Sequence, residues 1–178
     1  MRPQSEPWIS TRSERGVVVV SIHGALTGGS PNKEALPGEF SKLLEIGLRR
    51  FTLDLEPVPK MDEDGINTII EIHTQVTDRN GELTFRGAAM VPLHGRLTIG
   101  MVSEESIESE FSRLWDIGLR SFILDLEDVS KMDSSGVAEF VALYRKVAER
   151  GGELDLVNLP RNVRDILEIT QKVSTFDR

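Results

Sequence analysis

Apolar positions outline the elements of this chain. Val17–Ile22 is a nearly continuous β-branched run, the mark of a buried strand. Residues 8–11 are set to pair with it across the polar stretch Ser13-Glu14-Arg15-Gly16. Leu36, Phe40, Leu43 and Leu44 recur at helical spacing, as do Ile107, Phe111, Leu114 and Trp115. Each stripe runs out at a glycine, Gly47 or Gly118, suited to a left-handed cap. Residues 51–55 and 122–126 read as strands. Val137, Phe140, Val141, Tyr144 and Val147 form another helical stripe, stopped by Gly151-Gly152. Residues 153–159 read as a strand, and Pro160 opens a last helix with Val163, Ile166, Leu167 and Ile169 along it. Residues 82–85 have three readings: they close the first half, they pair across Arg86-Gly87 with residues 89–93, or they do both.

These elements occur twice. Shifted by 71 residues, so that His94-Gly95 lies on His23-Gly24, the chain overlays itself without a gap. Ile117-Gly118-Leu119-Arg120 then falls on Ile46-Gly47-Leu48-Arg49, and Leu124-Asp125-Leu126-Glu127 on Leu53-Asp54-Leu55-Glu56. Lys131-Met132-Asp133 falls on Lys60-Met61-Asp62, and Gly152-Glu153-Leu154 on Gly81-Glu82-Leu83. Units of about 70 residues, only two in number, fit duplication of a small domain better than a solenoid. Each reads β-α-β-α-β, which predicts an α/β fold with an open mixed sheet covered by helices. The expected division is residues 1–86 and 87–178, the first unit lacking the terminal helix. That truncation predicts apolar sheet surface in need of cover, by packing of the two units or by association of two chains as a homodimer.

Composition narrows the function. The 178 residues are 39% hydrophobic and 28% charged with a net charge of −8, a globular composition. No basic stretch stands against that acidity, which excludes a nucleic-acid partner. The absence of cysteine removes disulfides, thiolate metal sites and a cysteine nucleophile. The start lacks a secretory apolar core, and no apolar run is long enough for membrane insertion, so the expected location is cytoplasmic.

The stretch Asp133-Ser134-Ser135-Gly136 lies between a strand end and a helix start. Its plain reading is a cap, in which side-chain oxygens accept bonds from first-turn amides and glycine eases the bend. Its functional reading is a hydroxyl exposed at a positive helix end. A phosphate there meets open amides and a favourable dipole, and adds roughly −1.5 to −2 charges, enough to abolish a protein contact.

Phe122-Ile-Leu-Asp-Leu-Glu-Asp-Val129, then Met132-Asp133-Ser134-Ser135-Gly136, a helix, and Gly152-Glu153-Leu154 before a strand and helix together resemble the STAS family. These are bacterial anti-sigma-factor antagonists of sporulation and stress responses. The resemblance covers residues 88–178 and, less closely, 8–85. It implies a non-enzymatic, partner-switching regulator of transcription without a cofactor, whose partners are an anti-sigma-factor serine kinase and a serine phosphatase. The kinase would phosphorylate the serine after the aspartate, Ser134. Asp133 would orient the loop, Ser135 and Gly136 would supply amides, and Glu139 would face the partner. Family members often carry an acidic residue where this chain has Thr98, a departure at a partner-contact position. The same family includes scaffold subunits, of stressosome-like or lipid-transport assemblies, that work without serine turnover.

In the first unit Asp62-Glu63-Asp64-Gly65 replaces the serine motif. The plain reading is a cap with an acidic first turn. The sharper one is a degenerate counterpart site that imitates the phosphorylated state. His23 and His94 share a repeat position but lack a metal-site spacing, so a metal is not expected. Gly28-Gly29-Ser30-Pro31 lacks the lysine of a phosphate loop and reads as a connection. Asp54 and Asp125 read as strand-edge polar residues, and Trp115 as core packing. No catalytic constellation is visible.

Overall fold

A computed structural model describes residues 8–97, 104–161 and 164–165, without the side chains of 92–97, 104–108, 110, 130 and 131. The chain divides into two compact units, one through Met90 and one from Val91 onward, with Ile117–Leu119 grouped with the first.

The first unit begins with β1 (Ile9–Glu14) and β2 (Val17–Ile22), an antiparallel pair. Arg15 and Gly16 turn between them with φ of 50° and 80°, the left-handed pair of a two-residue hairpin turn. The strand therefore runs on through Ser13 and Glu14, which the sequence placed in the turn. After α1 (Pro31–Glu45) come β3 (Arg50–Asp54), α2 (Glu63–Asp78) and β4 (Glu82–Arg86). The sheet order is β1-β2-β3-β4, with β2, β3 and β4 parallel. Residues 82–86 thus close the first sheet.

The register Val18↔Phe51↔Leu83 and Val20↔Leu53↔Phe85 sets one apolar face. Phe40 of α1 meets Phe51 on that face at 5.3 Å between ring centroids. Leu36, Phe40 and Leu44 of α1 and Ile66, Ile69, Ile72 and Val76 of α2 are buried. At the end of α1, Gly47 has φ +91° and the Leu48 amide reaches back to the Leu43 carbonyl at 3.1 Å, closing the helix as expected.

The opposite sheet face is polar. Ser10, Ser21, Asp54 and Arg86 lie in one row by register, and Arg12, Val19, Thr52 and Thr84 in the next. Arg12 bonds Glu14 at 2.6 Å, Arg86 bonds Glu14 at 3.2 Å, and the Thr52 and Thr84 hydroxyls meet at 2.9 Å. Among the described residues the large apolar side chains left exposed are Trp8 and Ile46.

The second unit contains β5 (Ala89–Leu97), α3 (Glu104–Asp116), β6 (Ser121–Met132), α4 (Ser134–Glu149) and β7 (Glu153–Val157). The sheet order is β5-β6-β7, with β6 and β7 parallel. Phe122 packs against Phe111 at 4.8 Å and Trp115 at 6.2 Å. Strand β6 runs to Met132, past the expected end at residue 126. Its repeat counterpart β3 stops at Asp54, before Pro57 and Pro59, which have no amide to give a ladder; Asp128 and Ser130 stand in their places. A helical turn starts after β7, the Arg164 amide donating to the Pro160 carbonyl at 3.0 Å. Val163, Ile166, Leu167 and Ile169 of that helix lie outside the described residues.

Candidate functional site

The Asp133–Gly136 stretch stands where β6 hands over to α4. Met132 is buried and fixes the strand end. Asp133 is extended, with φ −106° and ψ −177°, and its carbonyl takes the first helical bond from Val137 at 3.1 Å. Its carboxylate Oδ1 accepts from the amides of Ser135 at 3.0 Å and Gly136 at 3.1 Å. Ser134 is the first residue of the helix and is exposed; Ser135 and Glu139 are half-buried and Gly136 is buried. Asp133, Ser134, Ser135, Gly136 and Glu139 thus share the first turns of one helix. Thr98 lies outside the described residues.

The amides expected to be open for a phosphate are already engaged by Asp133. A phosphoryl group on Ser134 would stand beside that carboxylate rather than replace it. At about 5 Å in water-like surroundings, repulsion per charge pair is roughly 0.8 kcal/mol. The helix dipole returns about 0.3–1 kcal/mol. The two effects nearly offset, so added charge at Ser134 alters the surface far more than the stability.

The counterpart in the first unit is built differently on the same cap. Asp62, at φ −123° and ψ −175°, accepts from the Gly65 amide through Oδ1 at 3.0 Å and from the Gly28 amide through Oδ2 at 2.9 Å. It therefore ties the helix start to the loop between β2 and α1. Lys33 of α1 pairs with Asp64 Oδ1 at 3.2 Å. Gly65 admits no side chain, because a Cβ there would overlap the Leu26 carbonyl. Leu26 and Met61 form a parallel bridge beneath it. Glu63 and Asp64 are exposed. The spacing of the motif indicated the cap, but the reach of Gly28 and Lys33 to it carries no sequence signal.

Asp54 and Asp125 are buried in central strands, not set at an edge. Each Oδ1 accepts from the amide two residues on, Glu56 at 3.1 Å and Glu127 at 3.0 Å. Asp54 also takes the Ser21 hydroxyl at 3.3 Å, with Arg12 and Arg86 at 3.8 and 4.0 Å. Asp125 takes the Asn158 side-chain amide at 2.9 Å.

His23 Nε2 bonds the Ser10 hydroxyl at 2.8 Å and helps join β1 to β2. Burial lowers the pKa of His73, on α2, from its ordinary 6.5. The His94 side chain lies outside the described residues, among which no group of metal-ligating side chains forms. Trp115 is half-buried rather than enclosed. The Arg120 guanidinium covers its ring at 4.2 Å and Arg150 stands at 5.8 Å. Among the described residues no helix is long and apolar enough to cross a membrane.

A family model described as STAS domain matches the chain twice, over residues 9–94 and 86–177. Comparison with curated proteins returns no match. Among solved structures, Mglu is 20% identical at TM-score 0.39, covering 44% of this chain; the match spans 19% of Mglu's own length. A Thermotoga maritima protein described as an anti-sigma factor antagonist is 14% identical at TM-score 0.40, over 77% of this chain and 94% of its own. The anti-sigma factor antagonist SpoIIAA, unphosphorylated, is 12% identical at 0.39, over 76% and 96%. Likeness at this level fixes neither partner nor activity.

Proposed function

This chain belongs to the STAS domain family in both of its units, and on that premise we propose that it is an anti-sigma-factor antagonist switched at Ser134. In this reading it is a cytoplasmic, non-enzymatic regulator of transcription. Unmodified, it binds an anti-sigma-factor serine kinase and frees the sigma factor. The kinase phosphorylates Ser134 and releases the chain; a serine phosphatase restores it.

The observation that carries the reading is the exposed hydroxyl of Ser134 at the first position of α4, on a helix start already capped by Asp133. The surface can gain charge there without loss of the cap. Glu139 lies about a turn and a half further on and would border the docked partner. In this reading Asp133 is a positioning residue, a role supported by its bonds to the amides of Ser135 and Gly136 next to Ser134.

The test is incubation of the full chain with ATP and candidate serine kinases of the same genome. Phosphate should appear on Ser134 and vanish in Ser134→Ala. Ser134→Asp should weaken kinase binding at least tenfold, about 1.4 kcal/mol, while the melting temperature stays within a few degrees. Kinase binding without labelling would point instead to a scaffold role.

A further inference from the structure

The C-terminal halves of α3 and α4 flank a groove of about 240 Å³, at the other end of α4 from Ser134. Phe111, Trp115, Leu143 and Val147 give it an apolar floor, and the exposed Lys146, Glu149 and Arg150 give it a charged rim. We propose that this groove docks an acidic peptide segment of a partner protein, one apolar side chain on the floor and carboxylates on the rim. The docking site goes beyond the reading proposed for Ser134 and does not depend on it.

The first unit has the same elements with the position closed. Phe40, Leu44, Ile72 and Val76, the repeat partners of the floor, are at most 1% exposed, whereas Phe111, Leu143 and Val147 are 4–8% exposed and Trp115 is half-buried. The tryptophan is not needed to hold Arg120. Nη1 of Arg120 donates to the Trp115 carbonyl at 2.7 Å, and Nη1 of Arg49 makes the same bond to the Leu44 carbonyl at 2.7 Å without an indole. Phe122 stacks with the Trp115 ring at 20°, and Gly152 leaves the ring room, since a Cβ there would come within 2.8 Å of Cζ3. The indole is thus a fixed aromatic surface, and a contact made to it has little further to order.

The rim differs in charge as well. In the first unit the repeat partners of Lys146, Glu149 and Arg150 are Gln75, Asp78 and Arg79, one cation against one carboxylate. The second unit puts Lys146 in place of the neutral glutamine, four residues from Arg150 on the same helix face, with Arg120 over the ring at 4.2 Å. Arg113 and Asp116, in the last turns of α3, bring one charge of each sign. A local excess of positive charge on a chain of net charge −8 favours an acidic partner over a basic one. The groove falls below the roughly 300–1,000 Å³ of a small-molecule cleft and suits a peptide side chain instead.

The test titrates the full chain into fluorescein-labelled heptapeptides, each with a central leucine, methionine or phenylalanine among glutamates, and follows polarisation. At least one should bind with a dissociation constant below about 1 mM, more weakly as salt rises, and should shift Trp115 emission in Trp8→Phe. Arg150→Glu and Trp115→Leu, which installs the residue of the first unit, should each weaken binding by about tenfold or more. Ser134→Ala should bind as the parent does. Melting curves matching the parent verify folding, and the exposed Arg150 decides the matter if Trp115→Leu unfolds. No binding by any glutamate peptide, equal binding by lysine analogues, or parent affinity in Arg150→Glu overturns the inference. Trp115 emission that changes with protein concentration before peptide is added also overturns it, and gives the groove to a second copy of the chain.

Discussion

The starts of α2 and α4 use one device to two ends. Both are capped by an extended aspartate that answers amides of the first turn, and both have a buried glycine at the third helical position. They part at the two residues between. Glu63 and Asp64 make the first start acidic, and Lys33 of α1 pairs with Asp64. Ser134 and Ser135 leave the second start neutral, with a hydroxyl at the surface. A cap is a structural requirement of any buried helix end, so duplication preserves it. The exposed positions inside the cap are not required by the fold, and there the copies have diverged.

The buried glycine offers the sharpest break of this comparison. Gly65→Ala should lower the unfolding free energy by about 2–3 kcal/mol in urea titration, because a methyl group meets the Leu26 carbonyl in a packed layer. A loss under about 1 kcal/mol would mean the helix can shift away freely.

The caps come next. Asp133→Ala should cost about 1 kcal/mol, the usual value of an N-cap. Asp62→Ala should cost about 1.5 kcal/mol, since it removes the bond to Gly65 and also frees the Gly28 amide. A loss of only about 1 kcal/mol at Asp62 would show that the bond to the loop adds nothing.

The smallest effect concerns the polar sheet face of the first unit. Arg12 and then Arg86 hold the Glu14 carboxyl below its ordinary 4.5. With a folded value below the unfolded one, the contribution is present above pH 4.5 and is lost as pH falls through the lowered value. Glu14→Gln should therefore slightly flatten the loss of stability with acid below that pH. Full exposure keeps the change small. An acid limb identical to the parent's would show that the ladder of charges is merely decorative surface.

The elements were legible where the apolar period was strong. Phe40 and Phe111 stand at one repeat position on helices, Phe51 and Phe122 at another on strands, and the structure brings each pair into ring contact. Element ends were harder. Ser13 and Glu14 looked like turn residues because they are polar, yet on a half-exposed strand polarity marks a face, not an end. The length of β6 was hidden for a related reason, since Asp128 and Ser130 permit a strand without announcing one. The cap residues Asp62 and Asp133 were readable because a cap is local, spanning three or four residues.

The sequence by itself settled the duplication, the alternation of strand and helix, and the position of Ser134 ahead of an amphipathic stripe. All of these follow from spacing along the chain. Folding alone decided that Asp54 and Asp125 are interior and that Lys33 and Gly28 reach the first helix start. It also decided that Arg120 and Arg150 stand over Trp115. Each joins residues from separate elements, and short-range pattern carries no record of which side chains parallel crossovers will bring within bonding distance.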